Sequence, residues 1–139
     1  MLRSNTPKFL TKRRPQMFKS YNPNPRGKYV DDCVIRGLTA FLNVDWDTAF
    51  LDLCDYAFQM KNMPSVNSVW TGFLKRQGYK MYSLPNTCQD CYTVRNFCRE
   101  HRRGKYLLCT GNHVVAVIDG DYLDTSDSGD MIPIFYFEG

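Results

Sequence analysis

Apolar residues in this chain change their spacing part-way along, and that change restricts the fold more than any other feature. Up to Gly78 they recur every three or four residues. Val34, Leu38, Phe41 and Leu42 form the stripe of a helix opening near Cys33, with Asp31 or Asp32 as its N-cap. Trp46, Ala49, Phe50, Leu53 and Ala57 mark a second helix over about 46–60, capped by Asp45. Val66, Val69, Trp70, Phe73 and Leu74 mark a third, set off by Met63-Pro64-Ser65 and ended by Gly78. Beyond Gly78 the pattern turns to short strands at 79–84, 105–110, 113–118 and 121–125, with Asp119-Gly120 as a two-residue hairpin turn. One short helix interrupts them, opening on Thr87 and Asp90, carrying Cys91, Val94, Phe97 and Cys98 on one face and ending at Gly104. Pro133, which lacks an N–H, assigns the last strand (131–137) to a sheet edge. Helices first and hairpin-linked strands second predict an α+β fold, N-terminal helices packed on a C-terminal antiparallel sheet.

With 139 residues the chain suits one domain that buries roughly two thirds of its surface. No apolar run approaches the ~20 residues that span a bilayer, so no membrane partner is expected. The first residues lack the apolar core of a secretory signal, which points the six cysteines to a reducing cytoplasm and away from disulfides. Charge is uneven. Residues 1–28 carry eight basic residues and no acid, leaving −4 for the rest of a chain whose total is +4. With prolines at 7, 15, 23 and 25, residues 1–20 read as a basic, flexible arm before a domain over 21–139. The basic stretch 1–28 could meet a protein or a nucleic acid, or remain a solvated extension.

Three residues could carry chemistry together. Cys33 falls in the first helical turn, where unpaired N–H groups and the helix dipole favour a thiolate; the alternative is a thiol that merely packs. His113 opens a strand. With a two-residue turn at Asp119-Gly120, Val115 pairs with Asp124, which puts Asp124 diagonally across from His113 as an orienting acid. A one-residue slip would hand that role to Asp127, and both aspartates could equally be turn residues. Cys88, Cys91, Cys98 and His101 look like a zinc set when written as a pattern. However, Cys91 and Cys98 on one helix would lie about 10 Å apart along its axis, too far for sulfurs that each need about 2.3 Å to the metal. Cys88 and Cys91 alone stay as a weak metal alternative; no cofactor is expected.

A helix-borne Cys, a strand-borne His far downstream and an Asp shortly after follow the chain order of papain-like cysteine peptidases. The stretches Tyr21-Asn22-Pro23-Asn24-Pro25, Asp32-Cys33-Val34-Ile35-Arg36, Met63-Pro64-Ser65, Cys88-Gln89-Asp90-Cys91-Tyr92-Thr93-Val94 and His113-Val114-Val115-Ala116-Val117-Ile118-Asp119-Gly120-Asp121-Tyr122 resemble a family of short uncharacterised proteins from bacteria and their phages. These are similar in turn to papain-like peptidases of the bacteriocin-processing kind. The resemblance covers about residues 18–137. It implies a papain-like fold, a peptide or protein substrate, Cys33 as nucleophile, His113 as base and Asp124, or else Asp127, as orienting acid. Such enzymes place a glutamine before the cysteine as oxyanion donor; this chain has none there, and Asn24 is the candidate substitute. The implied activity is hydrolysis of a peptide, isopeptide or amide bond, in a host cytoplasm or a virion if phage-encoded. The rival reading is a non-enzymatic phage protein, structural or host-directed, that keeps the fold and uses its arm to hold a partner.

Overall fold

A computed structural model describes residues 17–85 and 92–139. They form four helices and a six-stranded mixed sheet, an α+β arrangement. The strands are β1 (Phe18–Ser20), β2 (Met81–Ser83), β3 (Lys105–Cys109), β4 (Val114–Ile118), β5 (Asp121–Asp124) and β6 (Phe135–Glu138). The helices are α1 (Cys33–Leu42), α2 (Trp46–Met60), α3 (Asn67–Arg76) and α4 (Val94–Glu100).

The strand order is β1-β5-β4-β3-β6-β2, and every neighbouring pair is antiparallel except β1 with β5. The expected purely antiparallel sheet is therefore corrected by one parallel edge strand, drawn from residues assigned to the arm. Phe18 sets its ring 5.6 Å from that of Tyr122, Lys19 pairs with Asp121 at 3.6 Å, and the Tyr122 N–H reaches Met17 O. One apolar ring and three pairing residues make no periodic signal, so the sequence read as featureless. β6 also departs from expectation. It starts after Pro133 and lies between β3 and β2, so the missing proline N–H falls outside the ladder.

Alternation along the central strands makes two cores. Leu107, Cys109, Val114 and Ala116 face α1, α2 and α3, meeting Leu38, Phe41, Leu53, Trp70 and Leu74. Tyr106, Leu108, Val115 and Val117 face the other way, against Val94, Phe97 and Cys98 of α4. Helix α1 presses hard on the sheet at Gly37, where a Cβ would sit 2.7 Å from Leu107 Cδ1 and 3.1 Å from Val114 Cγ1. That approach lowers the first turn of α1, with Cys33, toward the β3–β4 end.

Helix α4 is capped by Thr93 in a capping box with Asn96 and ends at Glu100, not at Gly104. The expected start at Thr87 and Asp90, and the candidate metal pair Cys88 and Cys91, lie outside the described residues. Cys98 is fully buried, and the His101 ring stacks on Phe97 at 3.7 Å with Nδ1 against Phe97 O. Among the described residues no three His, Cys, Asp or Glu side chains gather as a metal set. No helix there is long and apolar enough to cross a membrane.

Candidate active site

The β4–β5 turn sets the register on which the site depends. Asp119 and Gly120 both take positive φ, +49° and +84°, as a tight two-residue hairpin turn requires. Ile118 pairs with Asp121, Val117 with Tyr122 and Ala116 with Leu123, and Asp124 follows as the last residue of β5. His113 Nε2 then lies 2.7 Å from Asp124 Oδ2. The other ring nitrogen, Nδ1, is left for the hydrogen bond that His113 shares with Cys33, the first residue of α1.

The ring is a strong base in this setting. The Asp124 hydrogen bond and then the Cys33 hydrogen bond outweigh burial and push the His113 pKa up to about 9. Burial pushes the Asp124 carboxyl upward, but hydrogen bonds from His113, Ser128 Oγ and Thr125 N more than offset it and hold the group below its ordinary range. At neutral pH, His113 therefore carries its proton and Asp124 its charge.

Asp127 stands apart from this chain. Its carboxylate accepts from Tyr122 OH, from Gly129 N at 2.9 Å and from Arg95 Nη2 at 3.3 Å, and it is 52% exposed. The hydrogen bond from Tyr122, followed by that from Gly129 N, lowers its pKa. Arg95 also pairs with Asp130, so Asp127 anchors the segment after β5 onto α4. Asn24 is likewise occupied elsewhere: its Oδ1 accepts from Arg26 N and Lys28 N, an Asx-type turn, and it does not line the cleft beside Cys33.

Sequence reasoning missed a second set of groups behind the first. Asp32 occupies the N-cap position of α1, yet its side chain does not cap the helix. It turns inward, accepting from Arg36 Nη1 at 2.6 Å and Trp46 Nε1 at 2.9 Å. Arg36 Nη2 reaches Asp124 Oδ1 at 3.0 Å. Asp32, Arg36 and Asp124 are 7%, 5% and 1% exposed, so Trp46, Asp32, Arg36, Asp124, His113 and Cys33 form one largely buried polar chain. No buried side-chain nitrogen or oxygen among the described residues lacks a partner. The signal was present in the sequence: an aspartate at the N-cap position and an arginine four residues on, in a helix whose surrounding positions are apolar.

Because Asp32 is spent inward, no side chain caps the first-turn N–H groups of α1. Those amides open on a cleft of about 540 Å³. Val34, Ile35, Leu53 and Val114 give it apolar surface, and Trp46 and Phe50 form one wall, stacked at 4.9 Å and 9°. The opposite rim is fastened by Asn67, whose Nδ2 donates to Gly111 O while its Oδ1 accepts from Trp70 Nε1. Cys109, fully buried at the end of β3, lies within electrostatic reach of Cys33. Burial raises its pKa, as does Cys33, against the Gly111 N–H.

Compared with family models, curated proteins and solved structures, the chain matches none of them. Its geometry alone argues for a function.

Proposed function

We propose that this chain is a cysteine hydrolase with a papain-like fold that cleaves a peptide, isopeptide or amide bond. The observation that carries the reading is the hydrogen-bonded run from Cys33 through His113 to Asp124, its thiol end at the floor of an apolar cleft. A cysteine at a helix start beside a raised-pKa imidazole, itself held by a buried carboxylate, is the arrangement nucleophilic acyl transfer needs.

In this reading the Cys33 sulfur attacks the substrate carbonyl carbon while His113 holds the proton on Nδ1. The carbonyl oxygen takes up the negative charge and is met by the uncapped first-turn N–H groups of α1, the Cys33 N–H foremost. His113 passes its proton to the amine nitrogen as the C–N bond breaks, leaving a thioester on Cys33. Water, deprotonated by His113, attacks the thioester, releases the carboxylic acid and leaves the Cys33 sulfur as a thiolate beside the protonated His113, ready for the next turnover. Asp124 keeps the ring in one orientation throughout.

The cleft dimensions fit a few residues of an extended peptide with an apolar side chain against Trp46 and Phe50. The basic residues of 1–28 support an acidic partner surface, protein or nucleic acid; Lys19 is already paired with Asp121.

The test is release of fluorophore from a mixed library of blocked peptide amides, with acyl-enzyme sought by mass spectrometry at short times. Hydrolysis that disappears in Cys33→Ala and His113→Ala is expected. A folded protein that forms no thioester on Cys33 and releases nothing from any peptide refutes the reading.

A further inference from the structure

The proposed reaction uses Cys33, His113 and Asp124, and leaves unexplained why an arginine and a second carboxylate are buried behind them. Arg36 is the one lysine or arginine buried among the described residues. Burying such a charge is costly, and it persists only when fully paired. Its guanidinium spans two carboxylates in a fork, Asp32 Oδ1 at 2.6 Å and Asp124 Oδ1 at 3.0 Å.

We propose that Arg36 is a positioning residue whose fixed charge, set between Asp32 and Asp124, keeps the Cys33–His113 pair in its charged form. The inference rests on the cysteine-hydrolase reading of the site and adds the group that sets its electrostatic balance.

The charges around the pair come from every element packed there. Asp32 precedes α1, Cys33 and Arg36 lie on it, Trp46 of α2 contributes only an N–H, and Cys109 of β3 contributes a thiol. Asp124 ends β5, Ser128 donates to it, and Asp127 beyond it is paired with Arg95. Asp31 lies exposed at the cleft rim. With Arg36 in place, two buried carboxylates face two cations once His113 is protonated, so a thiolate adds the only excess negative charge. Without it, a thiolate would join two carboxylates against one imidazolium. That extra repulsion disfavours ionisation of Cys33. If Asp124 instead took up a proton, His113 would lose its ionised partner, which also disfavours the thiolate. Both routes give the same sign.

Geometry adds a second effect. Asp124 Oδ1 is held by Arg36 and Thr125 N, which leaves Oδ2 to His113 and Ser128. A carboxylate pinned at both oxygens cannot rotate, so the imidazole keeps Nδ1 toward the sulfur.

The test is the pH dependence of Cys33 alkylation by limiting iodoacetamide, read by mass spectrometry on the full chain, with thermal melts as a check on folding. Arg36→Gln should move the acid limb of the rate profile up by about one pH unit. Asp32→Asn removes a negative charge and should move it down. Arg36→Lys keeps the charge without the fork, so the limb should stay near wild type while the maximal rate falls. A packing defect would lower rates without shifts of opposite sign. A folded Arg36→Gln protein with an unmoved limb overturns the proposal, as do Arg36→Gln and Asp32→Asn shifts in the same direction. If Arg36→Gln fails to fold, Asp32→Asn decides: a downward shift supports the proposal and no shift overturns it. His113→Ala separates the two levels of argument. A wild-type profile equal to that of His113→Ala sinks the cysteine-hydrolase reading and this proposal with it; a His113-dependent limb that Arg36 does not move sinks this proposal alone.

Discussion

Arg36 Nη2 donates to Asp124 Oδ1 at 3.0 Å, on the carboxylate oxygen that His113 does not use. The same aspartate thus joins a helix to a strand and an imidazole to a guanidinium. Asp127, three residues on, joins Tyr122 of β5 to Arg95 of α4 and has His113 and Arg36 outside its partners, so the two carboxylates can be told apart by experiment.

Asp124→Ala removes the largest influence on His113 and should lower its pKa from about 9 toward the ordinary 6.5, slowing Cys33 alkylation at neutral pH. Asp127→Ala should leave the imidazole titration nearly unchanged, because its partners are Tyr122, Gly129 N and Arg95. NMR titration of His113 in both variants checks this. A shift on Asp127→Ala without one on Asp124→Ala would reverse the assignment.

The same pKa makes stability depend on pH. A histidine raised from 6.5 to about 9 on folding contributes stability that is fully present below pH 6.5 and lost as pH rises through about 9. Melting temperatures should therefore decline between pH 6.5 and 9 in wild type, with a shallower slope in His113→Gln. Parallel slopes would mean that the His113 proton is not coupled to folding.

The helix stripes and the hairpin register were legible in the sequence because each repeats a local rule. Leu38, Phe41, Leu53, Trp70 and Leu74 fall on buried faces, and the Asp119-Gly120 turn fixes the pairing of Ile118 with Asp121 that carries Asp124 to within reach of His113. What escaped depends on partners distant in sequence. Arg36 meets Asp124 across 88 positions, and although the Asp32–Arg36 spacing is local, no local rule makes an aspartate at the N-cap position turn inward to Trp46 instead of capping its helix. β1 escaped for a related reason: three residues become a strand only because β5 offers a free edge.

That edge strand gives a third expectation. The sequence places residues 1–20 outside the domain as an arm, but Phe18–Ser20 pairs with Tyr122–Asp124 and Phe18 packs on Tyr122. A chain beginning at Tyr21 should melt several degrees lower than one beginning at Met17, since losing one packed aromatic and three strand residues costs about 1–3 kcal/mol. Equal melting temperatures would show that β1 adds nothing to the fold.

The last prediction concerns Gly37, which couples packing to the site. An alanine there would gain about 0.5–1 kcal/mol of helix propensity, and on an exposed helix that gain would win. Here the new methyl meets Leu107 Cδ1 at 2.7 Å and Val114 Cγ1 at 3.1 Å, and Leu107 is fully buried, with little room to turn away. Overpacking of this kind costs about 1–3 kcal/mol, so Gly37→Ala should destabilise the protein by about 1 kcal/mol despite its better propensity. The strain is relieved by α1 lifting off the sheet, and Cys33 lies one turn before Gly37 on that helix. His113 belongs to the sheet side and stays with Asp124. The Cys33–His113 hydrogen bond should therefore lengthen, and alkylation of Cys33 should slow by more than the small loss of stability explains. Denaturant melts and alkylation rates on the same samples check both parts; a stabilised Gly37→Ala protein would mean that Leu107 yields freely and that the close approach does not set the position of Cys33.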